Sequence, residues 1–263
     1  MRRHFMYKFL TVFLLFVFSL TSYTQEIDHK FHTNCLYPTV MILNSDGKSG
    51  GTGFIIRSTK HENKYRNAFI TAYHVVEADG SYILNWIKYK DWSNVEKEKQ
   101  YPVFICHTSE KNDLAIGVFE SDEQLPVAQL DFGHNIYMGT KVMRVGFGLM
   151  DDARVDHGIV TQPKTHRPES FLGTIRTNVY SVFGDSGGPL FLDYKVIGVC
   201  RAVRNYKDQI MTKQSYFTDI KQLKTWDEET DNCISPLYTN DKSLPVLPYI
   251  KLQLQRYKYS IPK

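Results

Sequence analysis

Long apolar runs are missing from this chain, and so is an excess of either charge. Its 263 residues hold 32 Lys and Arg against 28 Asp and Glu. Arg2, Arg3 and Lys8 lie within the first 24 residues, where there is no acid, so the remainder carries 29 basic and 28 acidic side chains. So even a balance leaves no electrostatic footprint for nucleic acid, which is not an expected partner. Cysteine is scarce at four, too few for a disulfide-dense mini-protein. No Cys-x-x-Cys or Cys/His cluster has zinc spacing, and neither a metal nor an organic cofactor is expected. Helical periodicity is nearly absent, and no internal repeat stands out. The longest apolar stretch, 9–20, has twelve residues. As a helix it would rise about 18 Å, against a hydrocarbon core of about 30 Å. Between the basic head 1–8 and the small residues Ser22 and Thr24, it reads as a secretory signal (1–24) cut before Gln25. The expected chain is secreted or periplasmic, with no membrane attachment once the signal is gone.

What remains is an ordinary globular composition, 42% hydrophobic and 14% aromatic with 16 Gly and 10 Pro. Its length suits one or two domains with a sizeable core. Short runs rich in Val, Ile, Phe and Tyr occur at 39–44, 52–57, 67–71, 81–90, 100–106 and 114–119. A second series follows at 127–130, 141–146, 154–161, 173–180, 189–192, 195–204 and 215–219. Turn residues separate them, and a hinge near 122 divides them into about six strands on each side. Such a pattern predicts an all-β sandwich or barrel, since a parallel α/β sheet needs intervening helices. The only fair helix in the body is 220–226. Beyond it, Ile250, Leu252 and Leu254 alternate with polar residues, as in a strand or extended arm.

Cys35, Cys106, Cys200 and Cys233 are an even set for an oxidising compartment, and the sequence does not choose among their three pairings. Cys35 and Cys233 flank the body. A bridge between them would close a loop of nearly two hundred residues, worth roughly 5 kcal/mol on an entropic account. Cys200 sits in an apolar run and suits a small buried hydrophobe.

The chemistry concentrates at Gly184-Asp185-Ser186-Gly187-Gly188-Pro189. A serine flanked by glycines can be presented on a tight turn whose amides converge on a developing oxyanion. A hydroxyl is a poor nucleophile at neutral pH, so it needs a base, and the base needs an orienting carboxylate. His74, directly after a predicted strand, and Asp113, directly before one, supply them. Chain order then decides between folds. The segment fits the Gly-x-Ser-x-Gly pattern of α/β-hydrolases, whose histidine follows the serine, but all nine histidines here precede Ser186. The subtilisin order puts Asp before His, and the β-rich organisation does not suit that parallel α/β fold either. Only the His–Asp–Ser order of the chymotrypsin-type barrels survives.

At these residues the sequence resembles the trypsin-like serine peptidase family, bacterial-type branch. Thr71-Ala72-Tyr73-His74, Asn112-Asp113-Leu114-Ala115 and 184–189 carry the resemblance. Gly51-Thr52-Gly53-Phe54-Ile55-Ile56 and Val196-Ile197-Gly198-Val199 add to it. The resemblance covers roughly 36–228 and implies two six-stranded antiparallel β-barrels, about 36–122 and 123–228. A short N-terminal segment (25–35) would precede them; a short C-terminal helix and an extended tail (229–263) would follow. It implies an endopeptidase acting on polypeptides, with Ser186 as nucleophile, His74 as base, Asp113 as orienter, and the N–H groups of Gly184 and Ser186 as oxyanion hole. The specificity pocket would involve Tyr180, Arg201 and Ala202. Two other readings stay open: a catalytically silent peptidase-like binding protein, or an esterase with the same triad. The chain also departs from the family. Val75 replaces the Cys that follows the histidine in vertebrate digestive enzymes. No Ile-Val-Gly-Gly segment is present to pair with Asp185, which needs another partner or a loop ordered only on activation or substrate binding. Tyr180 stands where a Lys/Arg-specific enzyme has Asp.

Overall fold

A computed structural model of the chain describes residues 29–225, except 45–46, 48, 78–79, 90–94, 167–170, 172 and 207–208. The expected signal, Cys233 and the tail lie outside the described residues. Six strands, β1 (Thr39–Asn44), β2 (Gly50–His61), β3 (Lys64–Thr71), β4 (Tyr82–Tyr89), β5 (Val95–Ser109) and β6 (Leu114–Ser121), close an antiparallel barrel in the order β1-β2-β3-β6-β5-β4. The second half contains β7 (Gln129–Leu130), β8 (Lys141–Gly146), β9 (Arg154–Gln162), β10 (Ile175–Thr177), β11 (Pro189–Leu192), β12 (Lys195–Tyr206) and β13 (Gln209–Asp219). The order β11-β8-β9-β10-β13-β12 closes through β11–β12 into a second antiparallel barrel of six. β7 lies alongside β12 in parallel, a pairing outside the antiparallel plan that the sequence suggested.

Every expected strand is present, and the differences lie at the ends. β2 and β3 run on to a two-residue turn at 62–63, where Glu62 has φ +54° without any glycine or proline to mark it. β11 and β12 are joined through Asp193 and Tyr194, both left-handed at φ +48° and +63°, the twist a two-residue hairpin needs. The expected strand 173–180 shrinks to Ile175–Thr177 because side chains claim the carbonyls beyond it. Ser215 Oγ donates to Val179 O at 2.8 Å, and Arg144 Nε donates to Tyr180 O at 3.1 Å. The expected helix at 220–226 is a 3-10 turn, Ile220–Thr225, whose first N–H groups include Lys221 donating to Asp219 Oδ1 at 2.8 Å.

Several strands bury two consecutive apolar residues, which in a strand point to opposite faces. Ile42, Ile55, Phe69 and Ala115 fill the first barrel. Their neighbours Met41, Phe54, Ile70 and Ile116 join one cluster with Val145, Phe147, Phe191 and Val199 of the second half. Val142, Val160, Ile175, Leu190, Ile197 and Phe217 fill the second barrel. The barrels are thus sealed together by apolar packing, which holds the loops at their junction in register.

The expected Cys35–Cys233 bridge is corrected here, because Cys35 is a free, buried thiol, as is Cys200. Cys106 is disulfide-bonded. Cys35 packs among Leu36, Met41 and other core residues, and burial drives its pKa far above the ordinary thiol range. Cys200 behaves as the small buried hydrophobe its sequence setting suggested, with its pKa pushed up to about 12 by burial. Neither is a nucleophile. Non-reducing peptide mapping should find Cys35 unbridged and alkylated only after unfolding; a half-cystine at this position would contradict the fold.

Candidate active site

His74 lies on a 3-10 turn, Tyr73–Val75, that begins two residues after β3 ends. β3 and β6 are antiparallel neighbours with Thr71 opposite Ala115, so the exit of β3 and the entry of β6 share one end of the barrel. That register brings Asp113 to His74. Asp113 adopts φ +52°, a left-handed conformation that Asp tolerates better than most residues, on a turn in which its N–H donates to Glu110 O at 3.0 Å. Its carboxylate accepts the His74 backbone N–H at 3.0 Å, and His74 Nδ1 lies 2.9 Å from both Oδ1 and Oδ2. A carboxylate only accepts, so Nδ1 carries the proton and Nε2 remains a basic lone pair. Asp113 is 9% exposed by side chain and His74 41%, so the carboxylate is turned inward while the imidazole is reachable from outside.

Ser186 lies on a turn whose shape depends on two glycines. Gly184 has φ +93°, and a Cβ there would sit 2.5 Å from Phe147 O and 2.8 Å from Leu149 N. Gly187 has φ +83°, and its Cβ would collide with Thr52 O and Thr71 Oγ1 and lie 2.8 Å from Ala72 N. The residue after Ser186 is therefore pressed against the segment that leads into His74. Along the turn, Asp185 N–H donates to Val182 O, Gly187 N–H to Cys200 O and Gly188 N–H to Asp185 O. The N–H groups of Gly184 and Ser186 have no acceptor among the described residues. Ser186 Oγ likewise makes no hydrogen bond to His74 among the described residues, and in free hydrolases that bond commonly tightens only with substrate.

The partner that Asp185 needed is inside the fold. Arg144 and Asp185 are both fully buried, and Arg144 Nη1 donates to Asp185 Oδ1. Arg144 Nη2 reaches Asp156 Oδ2 at 2.5 Å, Val182 N–H donates to Asp185 Oδ2 at 2.8 Å, and Arg154 stands 4.0 Å away. Burial acts to raise the pKa of the Asp185 carboxyl, and Arg144, the Val182 N–H and Arg154 oppose it. Sequence reasoning missed Arg144. A signal was present: in β8 it shares an inward-facing alternation with Val142, and a buried arginine requires an acid.

The three residues expected to form a specificity pocket make separate contacts. Tyr180 gives its carbonyl to Arg144, and its ring lies under the Arg154 guanidinium at 5.8 Å. Arg201 approaches Asp113, with Nε 3.9 Å from Oδ2, and covers the Phe171 ring at 5.9 Å. Phe171 in turn stacks on Tyr216 at 4.3 Å. Ala202 pairs with Tyr216 between β12 and β13. Arg201 and Asp113 are thus neighbours, a contact between an expected pocket residue and the expected orienter that linear distance concealed.

Residues 51–199 match the Trypsin-like peptidase domain. The chain is 30% identical over 174 residues to a probable periplasmic serine endoprotease DegP-like protein of Pseudomonas fulva (strain 12-X), covering 65% of this chain and 31% of that protein. It is 27% identical over 172 residues to a protein of the same description from Marinomonas sp. (strain MWYL1), covering 65% and 32%. The chain therefore spans about a third of the length of these relatives. Among solved structures, Deg5 superposes with TM-score 0.59 at 18% identity, over 77% of this chain and 92% of that one. The serine endoprotease from Yersinia pestis gives 0.59 at 15%, over 77% and 65%. At such identities the superpositions speak for the double-barrel fold, and the domain match, covering more than half of the residues, speaks for descent. The chain belongs to the trypsin-like peptidase family.

Proposed function

We propose that this chain is an exported serine endopeptidase that hydrolyses polypeptides through Ser186, His74 and Asp113 by way of an acyl-enzyme. The observation that carries this reading is the pair of N–H donors, Gly184 and Ser186, that have no acceptor among the described residues, on a turn where the N–H groups of Asp185, Gly187 and Gly188 are all bonded. Buried or half-buried donors without acceptors are costly, and a turn that keeps two of them is suited to receive a negative oxygen. Ser186 Oγ attacks the substrate carbonyl carbon and its proton passes to His74 Nε2. Asp113 holds Nδ1–H and stabilises the imidazolium, while the two N–H groups donate to the oxyanion. Collapse of the tetrahedral intermediate expels the amine, which takes the proton from His74, and water then repeats the sequence on the acyl-enzyme. No step needs a metal or organic cofactor.

The relatives' description as periplasmic endoproteases and the apolar segment 9–20 together support a periplasmic or secreted location. No helix among the described residues is long and apolar enough to cross a membrane. The decisive test is fluorophosphonate labelling of the mature protein followed by peptide mapping. Label on Ser186 is expected; an unlabelled, folded protein would favour a silent binding protein. Faster turnover of simple esters than of any peptide would favour an esterase.

The pocket residues lead to a prediction about specificity. Tyr180, Arg201 and Ala202 include no acid, and the two arginines near them disfavour a cationic substrate side chain. An uncharged residue of small or medium size should be preferred before the scissile bond. A peptide-library profile dominated by Lys and Arg at that position would refute it.

A further inference from the structure

Thr52, a fully buried residue of β2 in the first barrel, makes its bonds to the nucleophile turn of the second. Its N–H donates to Ser186 O at 2.7 Å, and its hydroxyl donates to Gly184 O at 2.7 Å. The same hydroxyl accepts the Phe147 N–H at 2.9 Å. A hydroxyl has one proton to give and lone pairs to receive, so both sides of this bridge are satisfied. Thr71 Oγ1, three residues before His74, donates to Thr52 O at 2.7 Å. One side chain and its own peptide groups thus link the segment leading to the base, the nucleophile turn and the loop that begins at Phe147.

That loop controls the next peptide plane. Leu149 N–H donates to Phe183 O at 2.5 Å, from a residue with φ +61° that is followed by Met150 at φ +58°. In a planar trans peptide the carbonyl and the following N–H point in opposite directions. With Phe183 O held toward Leu149, the Gly184 N–H faces the other way. The Gly184 carbonyl, at the far side of the same residue, is held by Thr52. Two consecutive left-handed residues outside glycine store strain, so the loop keeps this shape only where surrounding bonds impose it. The Thr52–Phe147 hydrogen bond is one of those bonds, two residues from Leu149.

We infer that Thr52 is a positioning residue for the reaction proposed above: its hydroxyl holds the peptide planes flanking Gly184 so that the Gly184 N–H is presented to the oxyanion. It touches no reacting atom. The hydroxyl therefore acts on the transition state, where negative charge is on the oxygen, and contributes little to ground-state substrate binding. The inference rests on the peptidase reading, and the experiment separates the two.

Thr52→Val, Thr52→Ala and Thr52→Ser are compared with the parent, all normalised to active sites titrated with a fluorophosphonate. Thr52→Val keeps the shape and removes the hydroxyl, Thr52→Ala covers the case in which valine prevents folding, and Thr52→Ser restores the hydroxyl. The expected result is a fall in kcat of roughly 10- to 100-fold for Val and Ala with KM nearly unchanged, a loss of the order seen for weakened oxyanion donation. Affinity for a peptidyl boronic acid, which forms a tetrahedral adduct, should fall by the same factor. Binding of an uncleaved peptide to the same variants carrying Ser186→Ala should not change. Thr52→Ser should recover most of both losses. Parental kcat and boronic-acid affinity in a folded hydroxyl-free variant would overturn the inference, as would a kcat loss that serine does not rescue. A parent that cannot be labelled at Ser186 would overturn the peptidase reading and this inference with it.

Discussion

Replacing Ser186 by alanine, or His74 by alanine, should lower peptide turnover by roughly 10⁴ to 10⁶, and the double replacement should be little worse. The non-additivity follows from the reaction. Without the hydroxyl there is nothing for His74 to deprotonate, and without the imidazole the hydroxyl remains a poor nucleophile, so each deletion removes the same step. Asp113→Asn keeps the space filled but offers an amide N–H to a ring nitrogen that must itself donate. The favoured His74 tautomer is then reversed, with an expected cost of up to about 10⁴. Because Asp113 also accepts the His74 main-chain N–H at 3.0 Å, Asp113→Ala should additionally loosen the Tyr73–Val75 turn. Circular dichroism and melting must first show each variant folded. Parental peptide hydrolysis by folded Ser186→Ala would end the mechanism.

The largest effect on stability is expected at Arg144. Arg144→Met fills much of the space but leaves Asp185, which is fully buried, without its closest cation. Removing one member of a buried pair costs about 3–5 kcal/mol, mainly because the remaining charge is stranded or must take up a proton. For a folded body of about 200 residues this corresponds to a melting temperature lower by roughly 10 °C. Adding Asp185→Asn to Arg144→Met should recover part of the loss, since no bare charge is then left inside. Activity should fall more steeply than stability, because Asp185 lies between Gly184 and Ser186 and its Oδ2 also accepts the Val182 N–H. An Arg144→Met protein that melts with the parent would show that the pair contributes nothing net. The pair also bears on activation. Asp185 finds its cation in β8 of its own barrel, so the turn it anchors is ordered without any new amino terminus.

Which strands form, and in which order the catalytic candidates occur, is local information, and the sequence alone determined both. β1, β8 and β11 occupy the ranges that their apolar and β-branched runs define, because a short run of such residues bounded by turn residues is written in consecutive positions. The order of His74, Asp113 and Ser186 likewise needs no coordinates. Tertiary structure alone decided the rest. The 3.9 Å approach of Arg201 to Asp113 depends on how β12 passes the end of β6, and no spacing along the chain encodes it. The freedom of Cys35 depends on where it packs, since an even count of thiols allows pairings without selecting one. The partner of Asp185 lies 41 positions away in β8, and Thr52 grips Gly184 across 132 positions. These bonds exist because barrel closure and the apolar seam bring distant polar groups into a dry interior, where each must find a partner. Sequence names the groups that need one, and only packing assigns it.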